Sequence, residues 1–143
     1  MQLAQKIRFY PTEEQLWVLW DLSEKCRLMY NFALSERIDN WKEKKKKPKK
    51  KRNYITYTQQ QNELPQIKRK YPEYKWVYSK VLQMTLRKLD GNYKSFFSLW
   101  RNGDTNARPP KYKGKDFFTT LCYNQSGFDI EGNTISFSHK HPS

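Results

Sequence analysis

Residues 79–100 read SKVLQMTLRKLDGNYKSFFSLW, and residues 117–137 read FFTTLCYNQSGFDIEGNTISF. The change of period between these two stretches decides the fold class. In the first, Leu82, Leu86, Leu89, Tyr93, Phe96, Phe97 and Trp100 recur at threes and fours, the spacing of one buried helix face. In the second, Phe117, Thr119, Leu121 and Tyr123 alternate with Phe118, Thr120 and Cys122, the period of a half-buried strand. Phe128 and Ile130 then face Ile135 and Phe137 across Gly132-Asn133, a two-residue hairpin signal. The join, RNGDTNARPPKYKGK over 101–115, is a loop rich in Gly, Pro, Asn and bases.

Upstream, LAQKIRF at 3–9 sets Leu3, Gln5, Ile7 and Phe9 against Ala4, Lys6 and Arg8, which predicts a strand stopped by Tyr10-Pro11. Thr12 and Gln15 have capping-box spacing, with Glu13 and Glu14 in the first turn suited to the helix dipole. A long helix over about 12–41 follows, its apolar positions at Leu16, Leu19, Trp20, Cys26, Tyr30, Ala33, Leu34 and Ile38. Thr56 or Thr58 caps a second helix over about 57–70, which Pro65 is expected to shorten or kink. Tyr71-Pro72 ends it, and Ser79 to Trp100 form the third, weakened slightly by Gly91. The order is one strand, three helices, three strands. A lone first strand leaves a row of unsatisfied backbone groups, so it must pair with the C-terminal strands. The expected class is α+β: three helices inserted into a small, incomplete antiparallel sheet or barrel built by both chain ends.

The 143 residues carry 28 Lys and Arg against 14 Asp and Glu, a formal charge of +14. No run approaches the ~20 apolar residues that span a bilayer. Cys26 and Cys122 are too few for a disulfide framework or a four-thiolate site, which points to a reducing, intracellular compartment. The surplus charge is concentrated in KEKKKKPKKKR at 42–52, nine bases and one acid. Such a block repels itself and stays extended as a solvated loop between helices. It also attracts polyanions, and lysine grips phosphate without reading sequence. A membrane surface or a nuclear address could use the same composition.

No phosphate-binding Gly loop, nucleophile elbow or HExxH is present, and the acids are scattered. His139-Lys140-His141 lacks the apolar middle residue of the metal-binding pair in single-strand transposases, and reads as a frayed polar tail. Cys26 and Cys122 read as small core residues. What remains is a nucleic-acid signature. Arg8, Arg27, Lys75, Lys80, Arg87, Lys111, Lys113 and Lys115 are interleaved with Tyr30, Tyr57, Tyr78, Tyr112 and Tyr123, and Gln59, Gln60, Gln61 and Gln83 carry amides that can read base edges.

KIRFYPTEEQ, CRLMYNFALSER, TYTQQQNELPQIKRKYPEYKWVYSKVLQMTLRKLDGNYKSFF, RPPKYKGK and GFDIEGNTISF together resemble, in order, the N-terminal part of the TnpB (OrfB) family. These are transposon-encoded, RNA-guided DNA endonucleases whose start is also described as a helix-turn-helix domain. The resemblance implies a wedge domain at 1–10 and 105–143, interrupted by a helical recognition domain at 11–104. It implies that Tyr57, Gln61, Ser79, Gln83 and Tyr123 read a short DNA motif beside the target. It implies that nucleic-acid backbone or the guide–target duplex meets Arg8, Arg27, Tyr30, Asn31, Lys44, Lys45, Lys46, Lys47, Lys49, Lys50, Lys51, Arg52, Arg87, Lys111 and Lys113. Expected partners are a guide RNA and double-stranded DNA, with no membrane, in a cytoplasmic, nucleoid-associated monomer. The family's nuclease acids, Mg and Zn sites lie downstream of these motifs. No catalytic residue, metal ligand or cofactor is therefore expected here, and the chain reads as a truncated, non-cutting part. The alternatives are a stand-alone helix-turn-helix regulator of a transposon, or a non-functional remnant.

Overall fold

The computed structural model describes residues 8–46, 54–115, 121–123 and 125–142. Three helices carry it: α1 (Glu13–Lys44), α2 (Tyr57–Lys70) and α3 (Ser79–Arg101). A short 3-10 turn, Pro72–Trp76, joins α2 to α3, and a second, Gln125–Gly127, leads into a hairpin of β1 (Phe128–Glu131) and β2 (Thr134–Phe137).

Local chemistry explains each start. Thr12 Oγ1 accepts from the Gln15 N–H while Gln15 Oε1 accepts from the Thr12 N–H, the reciprocal box the spacing implied. Thr56 and Gln59 repeat it at α2. Pro65 neither ends nor shortens α2, which runs five residues past it to Lys70. An interior proline costs about 3 kcal/mol. Here Pro65 faces solvent, while Gln60 and Leu64 are buried on the opposite side and hold the helix through tertiary contacts.

The core is a three-helix seam. Val18, Leu22, Cys26, Met29, Tyr30, Ala33 and Leu34 of α1 meet Leu64 of α2, Val77, and Val81, Leu82, Leu86 and Leu89 of α3. The first turns of α1 correct the expected face: Leu16 and Trp20 are exposed, and Val18 and Leu22 go inward instead. Cys26 is buried as expected, and burial pushes its thiol up to about 12 against a hydrogen bond with Thr85. Cys122 is exposed, not a core residue.

Buried polar groups are tied into one network. Gln60 donates its amide to the Ala33 carbonyl at 2.9 Å and to Glu36 at 3.3 Å, and accepts from Arg37 Nε at 2.8 Å. Arg37 also reaches Asp90 on α3 at 3.1 Å. Beside this network Glu63 faces Glu36. Burial, then a shared hydrogen bond and the charge of Glu36, push the Glu63 carboxyl up to about 7.

The hairpin pairs Phe128 with Phe137 and Glu131 with Thr134, and its turn places Gly132 at φ 58°. That left-handed conformation favours glycine. The described sheet holds these two strands and no barrel. The first expected strand lies almost wholly outside the described residues, as do Phe117 to Thr120 of the next; Leu121 to Tyr123 are not in a strand. The chain ends do approach: Phe9 packs on Phe137 at 5.8 Å between centroids. The tail after β2 is not frayed. His139 bridges to Val77, the Lys140 N–H donates to the Trp76 carbonyl at 2.8 Å, and His141 is buried between Trp17 and Trp76 with Nε2 2.7 Å from Asp21. Gly127 lies under two rings. A Cβ there would sit 2.7 Å from Tyr123 Cδ1 and 2.8 Å from Tyr78 Cε1.

Two outcomes follow for stability. Gly127→Ala forces flat, packed rings apart, and urea unfolding should show a loss of about 1–3 kcal/mol; an unchanged midpoint would contradict the close approach. Glu63 carries a folded value above its unfolded one of 4.5. The folded state then binds its proton more tightly, so stability falls as pH rises between about 4.5 and 7 and levels off above. Glu63→Gln should gain on the parent at pH 8 relative to pH 5; parallel urea curves for both proteins at the two values would refute this.

Candidate nucleic-acid interface

α2 and α3 run antiparallel. Near one end Arg87 lies over the Tyr57 ring at 5.1 Å, and at the other Lys68 Nζ donates to Ser79 Oγ at 2.8 Å. Between these ends Tyr57, Lys80, Gln83, Met84 and Arg87 line a shallow groove of about 170 Å³. Each lining position follows from helix spacing: Lys80, Gln83, Met84 and Arg87 recur at threes and fours on α3, opposite the first turn of α2. Gln61 lies one turn after Tyr57 and is half-buried.

Of the expected motif-reading residues, Tyr57 and Gln83 therefore share a groove, and Ser79 stands at its far end. Tyr123 is half-buried beside Tyr78, the residue before Ser79. The two rings stack at 6.3 Å and 9°, and the Tyr123 hydroxyl donates to the Ser138 carbonyl at 3.1 Å. Burial pushes the Tyr123 phenol up to about 12.

The expected backbone-contacting residues divide. Arg87 lies in the groove. Tyr30 is fully buried, with its hydroxyl accepting from Asn92 at 2.9 Å. Arg27 pairs with Glu24 and donates to the Lys113 carbonyl at 3.0 Å. Asn31 exchanges both of its amide groups with the Lys113 backbone, at 2.9 and 2.8 Å. Arg27 and Asn31 thus strap the 108–115 loop to α1 and present Lys111 on an exposed stretch. Lys113 Nζ lies 5.6 Å over the Tyr30 ring. Arg8 is exposed over Tyr10. Lys44 ends α1, with Lys45 over Trp41 and Lys46 exposed after it; Lys47, Lys49, Lys50, Lys51 and Arg52 lie outside the described residues.

A larger groove of about 700 Å³ lies between the start of α1 and β2, lined by Phe9, Val18, Leu19, Ile135 and Phe137 among others. Its lining mixes these with Glu14, Gln15, Asn133, Thr134, Ser136 and His139, and among the described residues it offers no lysine or arginine. The smaller groove is the better interface because it combines two bases, an amide and an aromatic on rigid helices. The reading from sequence missed Lys68, whose neighbour Ser79 is fixed only by the turn between α2 and α3. Among the described residues no group of three or more His, Cys, Asp or Glu side chains is placed to hold a metal, and no helix is long and apolar enough to cross a membrane.

A family model for the start of OrfB proteins of IS605-type insertion sequences, described as a helix-turn-helix domain, matches residues 1–46. No curated protein and no solved structure matches the chain. Within the matched stretch the described residues form one helix, α1. The segment joining α2 to α3 spans eight residues, 71–78, longer than the three or four of a helix-turn-helix joint.

Asn31→Ala removes both Asn31 bonds to the Lys113 backbone and leaves only the Arg27 bond to its carbonyl. Limited trypsin digestion at Lys111 and Lys113 should run about tenfold faster, while digestion elsewhere is unchanged. Equal rates at these bonds would show that the strap is held by other contacts.

Proposed function

We propose that this chain is a transposon-associated nucleic-acid-binding module that meets duplex DNA with the α2–α3 groove. The observation that carries this is the gathering of Tyr57, Gln83, Arg87 and Lys80 in one groove. The similarity of residues 1–46 to the OrfB helix-turn-helix domain supports the same partner. Gln83 supplies an amide whose donor and acceptor match an adenine edge, and Arg87 supplies a fork for guanine or phosphate. Tyr57 holds the Arg87 guanidinium from one face, which limits its rotamers before DNA arrives. Lys44 to Arg52 add sequence-independent attraction.

The finer reading is the recognition part of an RNA-guided nuclease, with residues 11–104 as recognition domain and 1–10 plus 105–143 as the wedge that grips a guide RNA. The meeting of Phe9 with Phe137 supports the return of both chain ends to one place. The chain itself performs binding and no chemistry in this reading. Gln61 on α2 and Ser79 at the start of α3 extend the motif-reading face, and Tyr123, stacked on Tyr78, borders it.

The test is binding to duplex DNA from the ends of the element, to structured RNA transcribed from the same end, and to scrambled controls, across a salt series. Gln83→Ala should relax sequence preference by about 1–3 kcal/mol and leave the salt slope unchanged. Replacing the lysines of 44–51 with glutamine should weaken all binding and flatten that slope. Identical effects from both changes would defeat the division of labour. Preference for the RNA that survives salt would support the finer reading, and loss of any preference among ligands would overturn both.

A further inference from the structure

Ser79 sits where three elements converge. Lys68 in the last turn of α2 donates to its hydroxyl at 2.8 Å. Lys75 belongs to the 3-10 turn that leads into α3. Lys140 arrives from the C-terminal segment, with its own N–H on the Trp76 carbonyl at 2.8 Å and its neighbour His139 bridged to Val77. This docking brings Lys140 back to Lys68, 72 positions earlier in the chain, and the buried His141 locks it.

The cluster is not neutralised. Lys25, Arg27 and Arg37, partly buried as Lys68 is, each have a carboxylate within 4 Å. Lys68, Lys75 and Lys140 have none among the described residues. Burial first, and then the charges of Lys140 and Lys75, pull the Lys68 ammonium below its ordinary value. The half-buried Lys68 ammonium bears the cost of these neighbouring charges, whereas Lys75 and Lys140 are exposed. An anion at their centre would offset that cost, and Ser79 offers a hydroxyl to the same point.

We propose that Lys68, Lys75 and Lys140 around Ser79 form a phosphodiester-binding site that takes one backbone phosphate of duplex DNA lying along the α2–α3 groove. This rests on the DNA-binding reading above and adds its register. A phosphate fixed at Ser79 sets where Gln83, one turn further along α3, meets a base edge. Lysines here position the duplex, and the groove reads it.

Two measurements on the full chain test the site separately from that reading. Lys68→Gln combined with Lys140→Gln should lower the slope of log K against log salt for duplex DNA by about 0.9 for the one phosphate lost. Lys94→Gln, at the exposed far part of α3, should leave it unchanged. An unaltered slope in the Lys68/Lys140 variant, with its urea midpoint equal to the parent's, would overturn the site while leaving DNA binding intact. The second measurement follows the lysine ammonium signals of the parent chain by NMR during titration with inorganic phosphate. Lys68, Lys75 and Lys140 should shift together and saturate, while Lys94 does not. Uniform, unsaturable shifts would overturn the site even if the parent failed to bind DNA, a result that would by itself defeat only the functional reading.

Discussion

The side-chain amide of Gln60 is the constraint on which the arrangement of helices depends. It is 1% exposed, and both of its polar atoms are committed. Its nitrogen bonds the Ala33 carbonyl and Glu36 on α1, and its oxygen takes the Arg37 N–H. Arg37 in turn bonds Asp90 on α3 and lies over the Tyr93 ring at 5.4 Å. An amide buried without partners costs more than a formed bond returns, so α2 cannot rotate or slide on α1 without exposing that penalty. Apolar packing alone would tolerate such a slide more readily, because it is non-directional. The groove between α2 and α3 has its shape because this network fixes both of its walls.

Charge is divided by depth. The bases that face the helix seam are matched: Arg37 to Asp90, Arg27 to Glu24, Lys25 to Asp21 and Glu73. These pairs draw on four acids, Asp21, Glu24, Glu73 and Asp90, and among the described residues Lys80, Arg87 and the Lys68 cluster have no carboxylate within 4 Å. Asp90, held by Lys94 and Arg37 against the opposing effect of burial, stays below the usual carboxylate range. A net charge of +14 is therefore not spread evenly over the surface. It is delivered where rigid helices carry it, and again in the lysine run beyond α1. The first arrangement can fix a register on a ligand, and the second can only attract one.

The second tie is the return of the chain end. Tyr78 and Tyr123 stack, the Tyr78 hydroxyl meets Ser126 at 2.7 Å, and Gly127 fits beneath both rings because it has no side chain. His141 then anchors on Asp21 between two tryptophans. These contacts hold the hairpin against the start of α3 and bring Lys140 to Lys68. The hairpin would be marginal without such packing, since two strands alone bury too little apolar area.

The local elements were legible from the sequence. The Thr12 capping box, the three helices and the Gly132 turn depend on residues within four positions of one another, and short-range chemistry specifies them without knowledge of the rest. The groove pair Tyr57 and Gln83 was legible through resemblance and through residue type. What only the tertiary structure decided is which neighbour each side chain meets. Leu16 and Trp20 share a helical period with the core yet stay outside, because Val18 and Leu22, each two positions further on and so on the other side of the helix, take the inward face there. Arg27 and Asn31 look like nucleic-acid ligands, and the fold sets them on a loop backbone 82 or more positions away. His141 looks like a loose tail and is buried 120 positions from its aspartate. Cys122 alternates like a core residue and is exposed. Period and composition fix what a residue offers over one or two turns. Its partner across the fold is set by packing and by the satisfaction of buried polar groups, which no local pattern encodes.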